Sequence, residues 1–276
     1  MTATAPRRPG AVSAGPGHGG PPPRRATIAE RTLRRDRWWV QPLITFVALL
    51  LFVVYATFRA FQNAYYFAEP YVSPFYSPCL TTQCQGDTFP HLFTGPAWIS
   101  PALYILIFPL SIRLTCYYYR KAYYRSFWLS PPACAVGEPH RLYSGETRFP
   151  LIFQNIHRYA LYAALIINVI LFYDAVLAFR DKNGAWGHMG LGTLILLVNA
   201  VLLALYSVSC HSCRHIVGGR LNHFSRHPLR YRAWMLVSRL NARHMQFAWA
   251  SLFTVAFADF YVFLLATGTI SDLRFF

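Results

Sequence analysis

The sequence predicts an all-α polytopic membrane protein, a bundle of five transmembrane helices behind a disordered N-terminal tail. Three observations carry that prediction. The 276 residues are 55% hydrophobic and 17% aromatic but only 13% charged, against roughly 25% charged in soluble domains. Five separate stretches reach the length of about 20 apolar residues that crossing a bilayer requires. The basic residues fall between those stretches in an alternating pattern.

Residues 1–38 are rich in Pro, Gly, Ala and Arg and show no apolar periodicity, so they cannot bury enough surface to fold. They form the first region, a basic cytosolic tail, and 39–276 form the second, the helical membrane domain. A cleaved signal peptide fits less well, because the basic region is long and the apolar stretch behind it has full spanning length without an A-x-A-like exit. The expected spans are Trp39–Phe61, Trp98–Tyr118, His157–Phe179, His188–Ser209 and Met245–Thr267.

The formal charge of +16 would by itself suggest a nucleic-acid or acidic-lipid partner, but its distribution is a topology signal. The 62–97 loop has no Lys or Arg, whereas 119–156 carries Arg120, Lys121, Arg125, Arg141 and Arg148, and Arg214–Arg243 holds seven arginines without an acid. The positive-inside rule then places the chain in a plasma membrane with its N-terminus cytosolic and its C-terminus external. Aromatic runs such as "CYYYRKAYYRSFW" and "NAYYF" are expected as interfacial belts. No nucleic-acid partner is expected at such a face.

This topology brings Cys116, Cys134, Cys210, Cys213, His157, His211, His215 and His244 to one membrane face. The segment "CHSCRH" packs two cysteines and two histidines into six positions at the end of the fourth span, before Gly218-Gly219 as a stop. On a continuous helix Cys210 and Cys213 share a face, and His211 and His215 share another. Thiolates favour zinc or iron–sulfur clusters, and imidazoles favour zinc, haem iron or the histidine-ligated iron of a Rieske centre. Buried cysteine as a small apolar residue and histidine at a helix C-terminus are the ordinary alternatives. Cys79 and Cys84, in the outer "SPCLTTQC", are expected to form a disulfide in an oxidising compartment.

Ionisable groups within spans are costly and usually paired or functional. Asp174 and Asp259 in the outer half, Asn199 deeper in, and Arg113 near the inner end are therefore candidates for a quinone head-group site or a proton path.

A short five-helix chain with a cytosolic N-terminus and redox-type ligands at the cytosolic face resembles the membrane-anchor subunit of succinate dehydrogenase or fumarate reductase, in particular the actinobacterial single-chain anchors. The resemblance covers about 39–268 and rests on topology. It implies an iron–sulfur subunit and a flavoprotein subunit as partners, with succinate chemistry residing there, and menaquinone as the electron acceptor. The two-haem anchors of that family place histidines at both depths, and this sequence crowds its ligands on one side and adds cysteines. A membrane-embedded Rieske-type 2Fe–2S cluster is the reading that uses the cysteines. Cys210 with Cys213 are the first expected thiolates and His157 with His244 the first imidazoles, with His215 and His211, Cys116 and Cys134, or a loop pair of Cys134 and His140 as alternatives. One inner haem b, or a structural zinc site, are the rival readings. The basic segment 214–243 would dock the partner or shield the cluster.

Overall fold

The computed structural model describes residues 35–275, apart from 85–90, 97, 138, 141–146, 182 and 220. The basic tail expected over 1–38 lies, but for its last four residues, outside the described residues. Among the described residues the elements are α1 (Val40–Gln62), a two-stranded hairpin β1 (Phe67–Ala68) and β2 (Tyr71–Val72), α2 (Pro101–Thr115), α3 (Tyr117–Phe127), a 3-10 turn (Leu151–Ile156), α4 (His157–Leu177), α5 (Leu191–Val208), α6 (His211–Gly218), a short 3-10 turn (Phe224–Arg226), α7 (Pro228–Asn241) and α8 (His244–Ala266).

Helices α1, α4 with its preceding turn, α5 and α8 are long and apolar enough to cross a membrane. The stretch expected as a straight second span is instead a bent pair: α2 stops at Thr115, and α3 leaves at 78° to it. Five crossings result if that pair makes one crossing. Three local causes act on α2. Pro109 sits inside it and removes a backbone donor. The Thr115 hydroxyl donates back to the Ser111 carbonyl at 2.7 Å, a contact that bends helices. Beyond Cys116 the sequence turns polar and aromatic, so α3 has no apolar run with which to continue inward.

The bundle is a chain of packed neighbours: α2 on α4, α4 on α5, α5 on α8. Lipid tails are as apolar as leucine, so such helices associate through close packing of small residues. Ala160, Ala164, Ala175, Ala200, Ala248, Ser251 and Ala258 are all buried. Helix α1 is peripheral and leans on α3 and α2. Its Leu43, Ile44, Leu51, Val54, Phe58 and Phe61 are exposed, as a lipid-facing surface should be.

At one end the 63–84 segment folds into the bundle. The hairpin pairs Phe67 with Val72 and Ala68 with Tyr71, and Tyr66, Tyr71, Phe75 and Tyr76 are core residues. Tyr66 of "NAYYF" therefore stacks on Tyr76, with ring centroids 4.1 Å apart, inside the protein, whereas Tyr65 is exposed. At the other end, the fourth span does not continue through "CHSCRH" as expected. Helix α5 ends at Val208, and Cys210 becomes the extended N-cap of α6. The basic 214–243 segment is largely helical, with α6 against α7. Gly218 permits that contact, because a Cβ there would collide with the Trp234 indole.

Candidate functional site

Two helix breaks build the site, and they are built alike. After α2 comes Thr115-Cys116, and after α5 comes Ser209-Cys210. Cys116 (φ −61°, ψ 130°) and Cys210 (φ −62°, ψ 144°) share one extended conformation, and each is the N-cap of the short helix that follows. Four residues after each cysteine an arginine N–H returns to its carbonyl, Arg120 to Cys116 at 2.9 Å and Arg214 to Cys210 at 3.1 Å. The turn back into the bundle ends each time on a histidine, His157 opening α4 and His244 opening α8.

The side chains cross. Thr115 Oγ1 lies 2.8 Å from His157 Nδ1, and the following Cys116 Sγ lies 3.4 Å from His244 Nε2. Ser209 Oγ lies 2.8 Å from His244 Nδ1, and the following Cys210 Sγ lies 2.9 Å from His157 Nε2. Both cysteines are buried at 2% exposure, and both histidines are half-buried. Burial pushes the Cys210 thiol up to about 12, with Cys116 adding to the effect. Without a metal, Cys210 is thus a neutral S–H at any physiological pH.

The structure thus brings together Cys116, Cys210, His157 and His244. Cys213, expected as the partner of Cys210, is half-buried and packs against the apolar cluster beneath the site, with its thiol raised by burial. Because Cys210 is a cap and not a helical residue, the shared-face argument for Cys210 and Cys213 does not apply. His211 and His215 contact each other, ring centroids 4.7 Å apart, on the exposed side of α6. Cys134 is exposed in the loop after α3, and His140 bonds the Trp128 carbonyl at 3.0 Å. Among the described residues no three His, Cys, Asp or Glu side chains close on one point as a single metal ion would require. The donors stand as two cysteine–histidine couples.

Next to the couples lies Arg113. It donates to Tyr119 Oη at 2.6 Å, the Ala248 carbonyl at 3.4 Å and Ser251 Oγ at 3.3 Å. Its guanidinium also sits over the Tyr206 ring, 4.9 Å from the centroid, and Tyr206 stacks on the His244 ring at 5.1 Å. Arg113 lines two cavities. One of about 390 Å³ is framed by Asn168, Leu171, Tyr206 and Ser207. The other, about 810 Å³, is framed by Thr115, Tyr119, Tyr123, Trp128 and Gln154. Neither cavity is lined by His157, His244, Asp174, Asp259 or Asn199.

The membrane acids sit at the opposite end, Asp259 in a closed network and Asp174 with its Oδ1 lacking a hydrogen-bond partner among the described residues. Asp259, fully buried, accepts from Arg59 Nε at 2.8 Å and Nη2 at 3.2 Å and from the hydroxyls of Tyr55 and Ser73. Asp174 accepts from the Ser77 hydroxyl. Asn199 is buried in α5, its carbonyl oxygen without a hydrogen-bond partner among the described residues. Cys79 and Cys84 are joined in a disulfide, Cα–Cα 5.7 Å.

Sequence reasoning missed Thr115, Ser209 and Tyr206. The first two were discoverable, since "TCYYYR" and "SCHSCR" repeat one pattern: a hydroxyl residue, cysteine, three residues, arginine.

The sequence model describing the actinobacterial succinate dehydrogenase subunit SdhC matches residues 40–268. The chain belongs to that family. Among solved structures, this SdhC-family chain is similar to a chain of the Mycobacterium smegmatis Sdh1 complex in the apo form. The two are 56% identical over 92% of this chain and 97% of that one, with a TM-score of 0.83. No curated protein sequence matches it. This SdhC-family chain is therefore a membrane-anchor subunit of succinate dehydrogenase, and both crossed couples fall within the matched residues.

Proposed function

We propose that this subunit relays electrons from the iron–sulfur and flavoprotein subunits of the complex to menaquinone through a Rieske-type 2Fe–2S centre held by Cys116, Cys210, His157 and His244. The observation that carries the reading is the convergence of two thiols and two imidazoles, which is the donor set of a Rieske centre, on four separate helix ends. The fit has a second support in Tyr206, whose buried hydroxyl faces the Cys116 thiol from a ring stacked against His244. A buried hydroxyl of this kind donates to sulfur, whether a thiol or a cluster sulfur. When bound, the centre supplies one-electron transfer.

The chain's own residues do the rest. Small residues pack α4, α5 and α8 so that the four donors are held at one depth, and α3 and α6 turn aside at the two cysteines to leave them facing inward. Oxidation of succinate in the partner releases two electrons and two protons, and reduction of menaquinone to menaquinol consumes two of each. Arg113, at the wall of the 810 Å³ cavity, is placed to donate a hydrogen bond to a quinone carbonyl, and Tyr119, whose hydroxyl accepts from Arg113 and donates to the Ala248 carbonyl, holds the guanidinium there. No carboxylate among the described residues pairs with Arg113, so its charge is free to stabilise a reduced quinone. A haem fits less well, because both Nε2 atoms face thiols and neither cavity reaches the imidazoles. By the positive-inside rule the site faces the cytosol, where the Arg-rich α6–α7 segment meets the iron–sulfur subunit.

Iron and acid-labile sulfide analysis with EPR of the dithionite-reduced complex tests the reading. The wild-type complex should carry one 2Fe–2S signal beyond those of the partner subunits. C116A and C210A should lose it, and C134A and C213A should keep it. Loss in C213A with retention in C116A would restore the adjacent pair Cys210 and Cys213, and absence of the extra signal from the wild type would remove the cluster.

A further inference from the structure

The hydrogen-bond geometry fixes which nitrogen of each histidine carries the proton. A hydroxyl has one proton to give, and a neutral imidazole has one N–H and one bare nitrogen. The Thr115 hydroxyl lies 2.7 Å from the Ser111 carbonyl and 2.8 Å from His157 Nδ1. A carbonyl oxygen can only accept, so the Thr115 proton goes to Ser111, and His157 Nδ1 must be the donor to Thr115. The alternative would press two oxygen lone pairs together at 2.7 Å in a buried site. The same count holds at the second break. The Ser209 hydroxyl donates to the Tyr206 carbonyl at 3.0 Å, so His244 Nδ1, 2.8 Å away, donates to Ser209. Ser209 is fully buried, so water does not supply a competing donor there, and at Thr115 the proton is already committed to the Ser111 carbonyl.

We infer that Thr115 and Ser209 are positioning residues that lock His157 and His244 in the Nδ1–H tautomer, so that both present a bare Nε2 to the cysteine of the opposite break. The inference rests on the proposed cluster for its function but not for its geometry. Each hydroxyl is the residue immediately before a cysteine. One backbone break therefore delivers a thiol to one histidine and sets the tautomer of the other. Neither half-site can be formed correctly without its counterpart, and a ligand nitrogen is ready before any metal arrives. A partner on the non-ligating ring nitrogen is the usual way to fix a metal-binding histidine. Here a hydroxyl whose own proton is already committed to the backbone does so.

Two measurements test this, and they fail separately. In the reduced complex, histidine labelled with 15N at Nε2 alone should give a strong hyperfine coupling to the additional iron–sulfur signal, and histidine labelled at Nδ1 alone only a weak one. A strong coupling from the Nδ1 label would overturn the tautomer assignment. No histidine coupling from either label would remove the cluster and leave the tautomers to the second measurement. That measurement is 15N solid-state NMR of the metal-depleted full chain in liposomes, with the two rings assigned by their disappearance in H157Q and H244Q. Both should show a protonated, pyrrole-type Nδ1. T115V should lose that signal at His157 only, and S209A at His244 only, while T115S and S209T retain it. Pyridine-type Nδ1 in the wild type, or an unchanged signal in T115V and S209A, would refute the inference. Should T115V not fold, the wild-type and T115S spectra decide it.

Discussion

The two ends of this bundle bury polar groups by opposite means. At the disulfide end, charge is met by charge. Arg59 and Asp259 form an ion pair at 1% and 0% exposure, closed by Tyr55 and Ser73. Asp272 collects Tyr71, Tyr261 and the Gly192 N–H. At the Cys/His end the convergent groups are thiols, imidazoles and hydroxyls without a carboxylate among them, and the nearby cation Arg113 rests on neutral oxygens and aromatic faces. One end pairs its buried cation with a carboxylate and the other does not. A buried cation closed by its own carboxylate is scaffold, and a cation held only by neutral groups is set up to receive negative charge.

The strongest test of that contrast is Asp259→Asn. If the carboxylate is scaffold, its loss strands a buried guanidinium at a cost of about 3–5 kcal/mol. The variant should then show a large fall in the melting temperature of the detergent-solubilised complex, whereas R59M/D259L recovers most of it. A D259N complex with full stability but impaired quinone turnover would instead return Asp259 to the proton path.

Arg113 is next. Removing one charge-assisted hydrogen bond worth about 1.5–3 kcal/mol in R113M should lower succinate:quinone turnover about 10- to 100-fold. Reduction of a soluble electron acceptor at the partner subunits should change little. Equal loss of both activities would make Arg113 structural.

Opening the small ring at the scaffold end, in C79A/C84A, should cost about 2 kcal/mol by loss of a chain constraint, read as a lower melting temperature with the EPR signals intact. A changed EPR signal would show that the ends are coupled.

The smallest effect concerns Tyr71. Burial first, and then the hydrogen bond to Asp272, push its hydroxyl up to about 12 from an ordinary value of 10. The folded chain thus holds that proton more tightly than the unfolded chain. The resulting stability is fully present below pH 10 and is lost as pH rises toward 12. Y71F should flatten that alkaline decline in a melting-temperature profile, and an unchanged slope would assign it to other tyrosines.

Most of the helical layout was readable because a span is announced by length and apolarity alone. The start of α4 at His157 and of α8 near Met245 coincided with the ends of apolar runs, and four of the eight residues expected on one face, Cys116, Cys210, His157 and His244, lie together. What periodicity could not show was the backbone leaving the helix at Cys116 and Cys210, since neither position carries Pro or Gly. That single local fact replaced Cys213 by Cys116 beside the histidines. Asp259 was legible as a costly buried charge. Its partner Arg59 lies 200 residues away and was identifiable only from the folded bundle. The inward fold of Tyr66 and Tyr76 was likewise hidden, because aromatic residues at a membrane boundary serve equally as belt or core.

The crossing of the two breaks has a consequence for biogenesis. Cys210 meets His157, which opens the earlier α4, but Cys116 meets His244, which opens the later α8, so no portion of the chain short of α8 holds both couples. The His244 end of α8, the last of the spans, must settle against Tyr206 before the pocket exists. The four-residue pocket is thereby a late product of the chain: it exists only once the last helix of the bundle has packed.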